Sequence, residues 1–310
     1  MGIVRGQFDK LLRPGARKVF IDDYNELPST YNSILNVETS GKAFEDDLVA
    51  TGLPMAVAKT EGEPIAFDRA RFRGRVRYIH TGYGLGYEIT REAVEDDQYS
   101  ALNSQGASNL ARSMRAAEEV TAANVFNNSF SSVKAYDGLS LCNTAHTTAS
   151  SQTQTNRPAS GTDISVAALK ASVERFMDLQ TDRSLRIDMM PSTVLTGNAS
   201  HWTVQEILGT KVITGASTGG ETDSIISAEA KNVVTQMGLV PVRWAYITDG
   251  DAWWTLAPKG VHRLNFFWRT KPTTVSGTDE RAGVAWFGIH GRWVAGATDW
   301  RGIDGSAGQG

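Results

Sequence analysis

Chemistry-bearing residues are scarce in this chain, and each scarcity excludes something. A single cysteine, Cys142, rules out an intrachain disulfide and reveals no oxidising compartment. The histidines (His80, His146, His201, His262 and His290) are scattered, with no His-x-x-x-His or Glu-x-x-His pair at metal-ligand spacing. Neither a metal nor a cofactor is called for. There is no Gly-x-Ser-x-Gly elbow and no Walker lysine, and Gly82, Gly84 and Gly86 lack the glycine offset of a nucleotide loop. No apolar run approaches the ~18 residues of a membrane-spanning helix. The N-terminus lacks the apolar core of a signal peptide, so a cytoplasmic product without membrane contact is expected. A formal charge of −3 argues against a dedicated nucleic-acid binder.

One pair invites a nucleophile hypothesis. Cys142 and His146 stand four apart, a spacing that meets on a helix, but the surrounding residues read as extended or loop. A buried, inert thiol is the better reading. No catalytic residue is therefore expected.

Arginine is what the sequence has in a pattern. Arg69, Arg71, Arg73, Arg75 and Arg77 occupy every second position. Side chains alternate across a strand, so this spacing places all five guanidinium groups on one side of an extended ribbon. Five unpaired cations cannot enter a core, since each desolvated charge costs several kcal/mol. The ribbon must face water or a partner.

Along the chain, residues 1–54 read as an N-terminal arm, punctuated by Pro14, Gly15, Pro28, Gly41, Gly52 and Pro54 and too poor in apolar residues for a core of its own. Residues 55–89 read as a long β-hairpin, going out through Met55–Lys59, turning at Glu61–Pro64 and returning through the ribbon to Ile89. A helix is predicted from Thr90, with Val94, Leu102, Leu110, Met114, Ala117, Val120 and Val125 on its buried stripe and a break or bend at Gly106. Further helices are predicted over 164–180 and from Asn198 to Leu208, the latter with Trp202 and Ile207 inward. Residues 147–163 and 215–223 read as polar, exposed loops. From Leu239 to Trp300 the pattern turns to strands and holds every tryptophan but Trp202.

Acidic runs at Glu45, Asp46 and Asp47, at Glu95, Asp96 and Asp97, and at Glu118 and Glu119 read as solvated faces. They are also the natural partners of the arginine ribbon.

Several passages, taken in order, resemble the major capsid proteins of tailed bacteriophages with the Hong Kong 97-type fold. Phe44–Asp47 before Gly52–Pro54 is similar to the arm leading into the extended loop of that family. Glu61–Asp68 resembles the outer half of that loop, and Tyr87–Asp97 the entry to its spine helix. Asp137-Gly138-Leu139 through His146 resembles the passage opening the axial domain, with Cys142 where an aromatic is common. Asp299-Trp300-Arg301 fits near the end. The head subunits of Mu-like phages and prophages are the most similar in kind.

The resemblance implies an α+β chain: an N-terminal arm (1–54), an extended loop (55–89), the spine helix of a peripheral domain (90–136), an axial domain (137–250) and peripheral strands with the C-terminus (251–310). It further implies self-assembly as pentamers and hexamers into an icosahedral head shell, built in the host cytoplasm and carried in the virion. Scaffold, portal and decoration proteins would be partners, and packaged double-stranded DNA would be touched only non-specifically. The arginines and acidic clusters would then meet across subunits, where charge pairs fix register more than they add affinity. An encapsulin-like nanocompartment shell is the rival within the fold. A soluble hydrolase using Cys142 or a histidine, and a nucleic-acid-binding module using the arginine stripe, are the rivals from other classes.

Overall fold

A computed structural model describes residues 5–90, 92–93, 99–210, 212–213, 230–279 and 281–309. The first half contains α1 (Arg5–Glu26), α2 (Tyr31–Ile34), β1 (Asn36–Thr39), β2 (Phe44–Ala50), β3 (Phe72–Ile79), β4 (Thr81–Thr90), α3 (Tyr99–Asn127), β5 (His146–Thr147) and β6 (Thr153–Gln154). The second half adds α4 (Val166–Met177), β7 (Thr193–Thr196), α5 (His201–Gly209), β8 (Val212–Ile213), β9 (Ala230–Lys231), β10 (Val240–Arg243), β11 (Trp253–Leu256), β12 (Leu264–Asp279), β13 (Val284–Ala297) and β14 (Ile303–Ser306). The chain divides into two units, each drawn from three segments: Met1–Glu45, Arg77–Ala122 and Asn265–Gly296, and Asp46–Val76, Ala123–Leu264 and Ala297–Gly310.

The first unit contains a four-stranded sheet in the order β1-β12-β13-β4. β1 runs parallel to β12 and β13 antiparallel to β4, so Gly82, Gly84 and Gly86 lie opposite Arg292, His290 and Gly288. Tyr31 of α2 stacks on Phe266 of the sheet, and within the sheet Tyr83 stacks on Trp293 while Trp268 meets Trp293 edge-on. The long helix is unbroken at Gly106, contrary to the expected bend. That glycine lies under the Tyr87 ring, where a Cβ would come within 2.8 Å of the ring carbons. Close approach, rather than flexibility, explains it. Thr90, the expected start of the helix, is the last residue of β4 and pairs with Val284, while residues 92–93 are helical and α3 is described from Tyr99.

The expected arm differs most. Residues 5–26 form a helix that continues through Pro14 and Gly15, and Ala16, Phe20, Tyr31, Ile34 and Leu35 are buried. Tertiary burial overrides the local breakers.

The second unit centres on the sheet β10-β7-β11-β14. Its core joins Ile164, Leu169, Val194, Val204, Val234, Leu239 and Trp253. Phe126 and Phe130 pack around Trp244 and Trp254. Ser165 caps α4, its hydroxyl accepting from the Ala168 N–H. Trp202, expected to point inward, is 74% exposed, because α5 turns Val204, Ile207 and Leu208 toward the core instead. Residues 147–163 are not a free loop: β5 pairs with β6, and the buried Asn156 amide donates to the carbonyls of Leu141, Trp300 and Ile303. The expected loop at 215–223 lies outside the described residues.

Candidate functional site

The alternation expected of the arginine strand holds through β3. Gly74 and Tyr78 are buried with Val76 half-buried between them, whereas Arg75, Arg77 and Ile79 are exposed. Gly74 is the contact point, since a Cβ there would meet the Tyr136 carbonyl oxygen at 2.5 Å. β3 pairs with β2 rather than with Met55–Lys59. The expected hairpin over 55–89 is thus replaced by an extended limb without strand pairing, residues 51–71.

The neck of the limb is closed where the Thr51 N–H donates to the Arg71 carbonyl and the Arg71 N–H to the Thr51 hydroxyl. Its tip turns where the Glu63 N–H donates to the Thr60 carbonyl. Between neck and tip, Leu53, Met55, Val57, Ile65 and Phe67 are all exposed, Phe67 at 93%. An apolar surface of this extent on an unpaired chain segment marks an interaction site.

The arginines divide. Arg69 and Arg71 lie exposed on the limb. Arg73 turns back onto its own unit, with Nε 3.7 Å from Asp182 Oδ1 and Nη2 donating to the Thr147 carbonyl. Arg75 lies 3.6 Å from Asp46, and the Arg77 guanidinium covers the Phe44 ring at 4.1 Å. Arg183 holds the returning leg through Asp68 at 3.4 Å.

The acidic runs divide as well. Glu45 accepts from Ser40 and Lys42, and the Ser40 bond holds its carboxyl below the ordinary value. Asp47 accepts from Arg263 and Thr298. Glu95, Asp96 and Asp97 lie outside the described residues. Glu118 and Glu119 are buried rather than forming a solvated face. Glu118 accepts from Tyr24, Tyr31 and Arg115, and Glu119 from the Thr30 N–H.

Sequence reasoning missed Asp182 and Arg183, more than a hundred residues from the strand they hold. Asp182 belongs to a buried network with Tyr136, Arg301 and Asp299. Burial pushes the Asp299 carboxyl up, against the pull of Arg301. Only the Asp299-Trp300-Arg301 run hinted at this network.

No chemistry emerges around Cys142. The thiol is fully buried, and burial pushes its pKa up, away from the thiolate a nucleophile needs. His146 is engaged by Asp137 and stacked on Trp300. Among the described residues no group of His, Cys, Asp and Glu could hold a metal, and no helix is long and apolar enough to cross a membrane.

Solved structures share this architecture. The procapsid of bacteriophage JBD30 matches 98% of the chain and 76% of its own, at 15% identity and a TM-score of 0.53. The capsid of cyanophage P-SCSP1u covers 90% and 87% at 11% identity and 0.53. The virus-like particle from Pyrococcus furiosus covers 95% and 98% at 10% identity and 0.51. At these identities the likeness establishes the α+β fold they share. No curated protein matches in sequence. A family model described as phage capsid protein matches residues 76–303, from the arginine strand to β14. The chain therefore belongs to the phage capsid protein family, as a structural shell protein and not an enzyme.

Proposed function

We propose that this chain assembles as pentamers and hexamers into an icosahedral head shell around double-stranded phage DNA. The limb at 51–71 lies on a neighbouring copy. The observation that carries this reading is the limb itself: an unpaired segment with Met55, Val57, Ile65 and Phe67 exposed, fastened at its base by Asp182 and Arg183. Alone it leaves apolar area in water; on a second copy each such side chain gains on the order of 1.5–3 kcal/mol. Arg69, Arg71 and Arg75 are the cations exposed for that contact, and acidic surface on the neighbour is their expected partner. Assembly in the host cytoplasm, with scaffold, portal and decoration proteins from other genes, belongs to the same reading. DNA contact is non-specific, in keeping with the net charge of −3.

The test is expression of the full chain, followed by size exclusion and electron microscopy. Capsomers or closed particles are expected, whereas a monomer at every concentration overturns the reading. Ile65→Ser with Phe67→Ser should leave subunit melting unchanged and abolish particles. A nanocompartment shell is the second reading, supported by the likeness to the Pyrococcus furiosus particle. Assembly that requires a co-expressed scaffold would favour the head shell over it.

A further inference from the structure

His80 stands between β3 and β4, the single residue joining two strands that pair with different partners, β2 and β13. It is 5% exposed, and neither Nδ1 nor Nε2 has a hydrogen-bond partner among the described residues. A buried imidazole normally fixes its tautomer by bonding at least one nitrogen. This one is held by packing alone.

The charges around it are unbalanced. Among the described residues, Arg292 of β13 and Arg269 of β12 act on the ring as cations, and Glu45 of β2 acts on it as an anion. On the same sheet face, His290 lies beside Arg292 over Gly82. Arg269 is committed to the Ser40 carbonyl. Glu45, the one carboxylate acting on the ring among the described residues, is already occupied by the Ser40 hydroxyl and Lys42.

We propose that His80 is a proton-sensitive pivot: neutral, it packs the β3–β4 corner, and protonated, it opens that corner. A proton on the ring adds a third cation to Arg269 and Arg292 with no free counter-charge among the described residues. Glu45 must leave Ser40 and Lys42, or the imidazolium must swing out to water. Burial, and then Arg292, holds the imidazole below its ordinary value, while Glu45 opposes them. The unfolded or opened chain therefore binds the proton more readily. The contribution of the neutral ring is complete above the ordinary imidazole value of about 6.5 and is lost as pH falls below it.

The experiment is hydrogen–deuterium exchange of the full-length chain, stepped from pH 8 to pH 5 and corrected for intrinsic exchange. Peptides spanning 76–84 should lose protection by up to about tenfold per pH unit below the transition, the limit for one linked proton. His80→Phe should keep protection flat across that range, and His290→Gln should leave the transition in place. The same pH response in His80→Phe and in the unsubstituted chain overturns the proposal. Should His80→Phe not fold, imidazole NMR of the unsubstituted chain decides. A His80 resonance that titrates together with the 76–84 amides supports the pivot, and one that titrates without moving them overturns it.

Discussion

Asp137 and His146 close on each other at 2.5 Å, Oδ2 to Nδ1, with the imidazole stacked 4.4 Å over Trp300. Both residues are buried, so the Nδ1–H donating to the carboxylate satisfies groups that water cannot reach. Burial alone would raise the Asp137 carboxyl, but the His146 bond and the Leu139 N–H hold it below its ordinary value. His146→Ala should cost on the order of 3 kcal/mol by stranding that carboxylate, and Asp137→Asn less. The stabilisation from Asp137 is present above its unfolded value near 3.8 and should vanish as pH falls below it. Urea denaturation of the subunit, stepped from pH 7 down to about pH 2, checks both expectations.

Glu118 has the opposite sign. Burial raises its carboxyl despite bonds from Tyr24, Tyr31 and Arg115. The folded chain keeps that proton longer than the unfolded one, so stability falls as pH rises from the ordinary value of 4.5 through the raised one. Glu118→Gln should flatten this dependence. Glu118→Ala should lose about 2–4 kcal/mol and expose α1 to protease, read by cleavage within residues 15–26.

Arg73 and Arg75 should part company. Arg75 is half-exposed beside Asp46, and Arg75→Glu should change subunit stability by no more than about 1 kcal/mol. Arg73→Glu sets a carboxylate against buried Asp182 and should cost several times that. Particle yield should fall for Arg75→Glu while its melting temperature holds. Normal yield would remove Arg75 from the subunit interface.

Gly74→Ala should destabilise strongly, by about 2–3 kcal/mol, because its Cβ must displace backbone at Tyr136 rather than a mobile side chain. Gly138→Ala, at a φ of +80° with open space around it, should cost about 1 kcal/mol from strain alone. Chemical denaturation of the two variants side by side distinguishes crowding from conformation.

An epitope tag inserted after Gln152 should leave folding and particle yield nearly unchanged, since Ser150–Thr153 is exposed at the β5–β6 turn. Asn156→Ala, four residues on, should cost about 2–3 kcal/mol by orphaning buried carbonyls. Failure of the tagged chain to fold would mean the turn is part of the core.

The order of chain segments made this fold legible from sequence, because each clue was local. Period-two arginines in β3, a helical stripe in which Leu110, Met114 and Val125 are buried as expected (Val120, expected with them, is exposed) and a tryptophan-rich run of strands are all carried by neighbours along the chain. Pairing across the chain is carried by no such signal. Nothing near Arg73 points to Asp182, and nothing near Glu118 points to Tyr24 and Tyr31, whose hydroxyls bury it. The same holds for α1, which reads as a broken arm until Ala16 and Phe20 find their core. Charge pattern told where cations had to escape a core. Which of them reach solvent, as Arg69 and Arg71 do, and which return to a buried carboxylate was decided only by tertiary contact, because desolvation and its compensation are properties of three-dimensional neighbours.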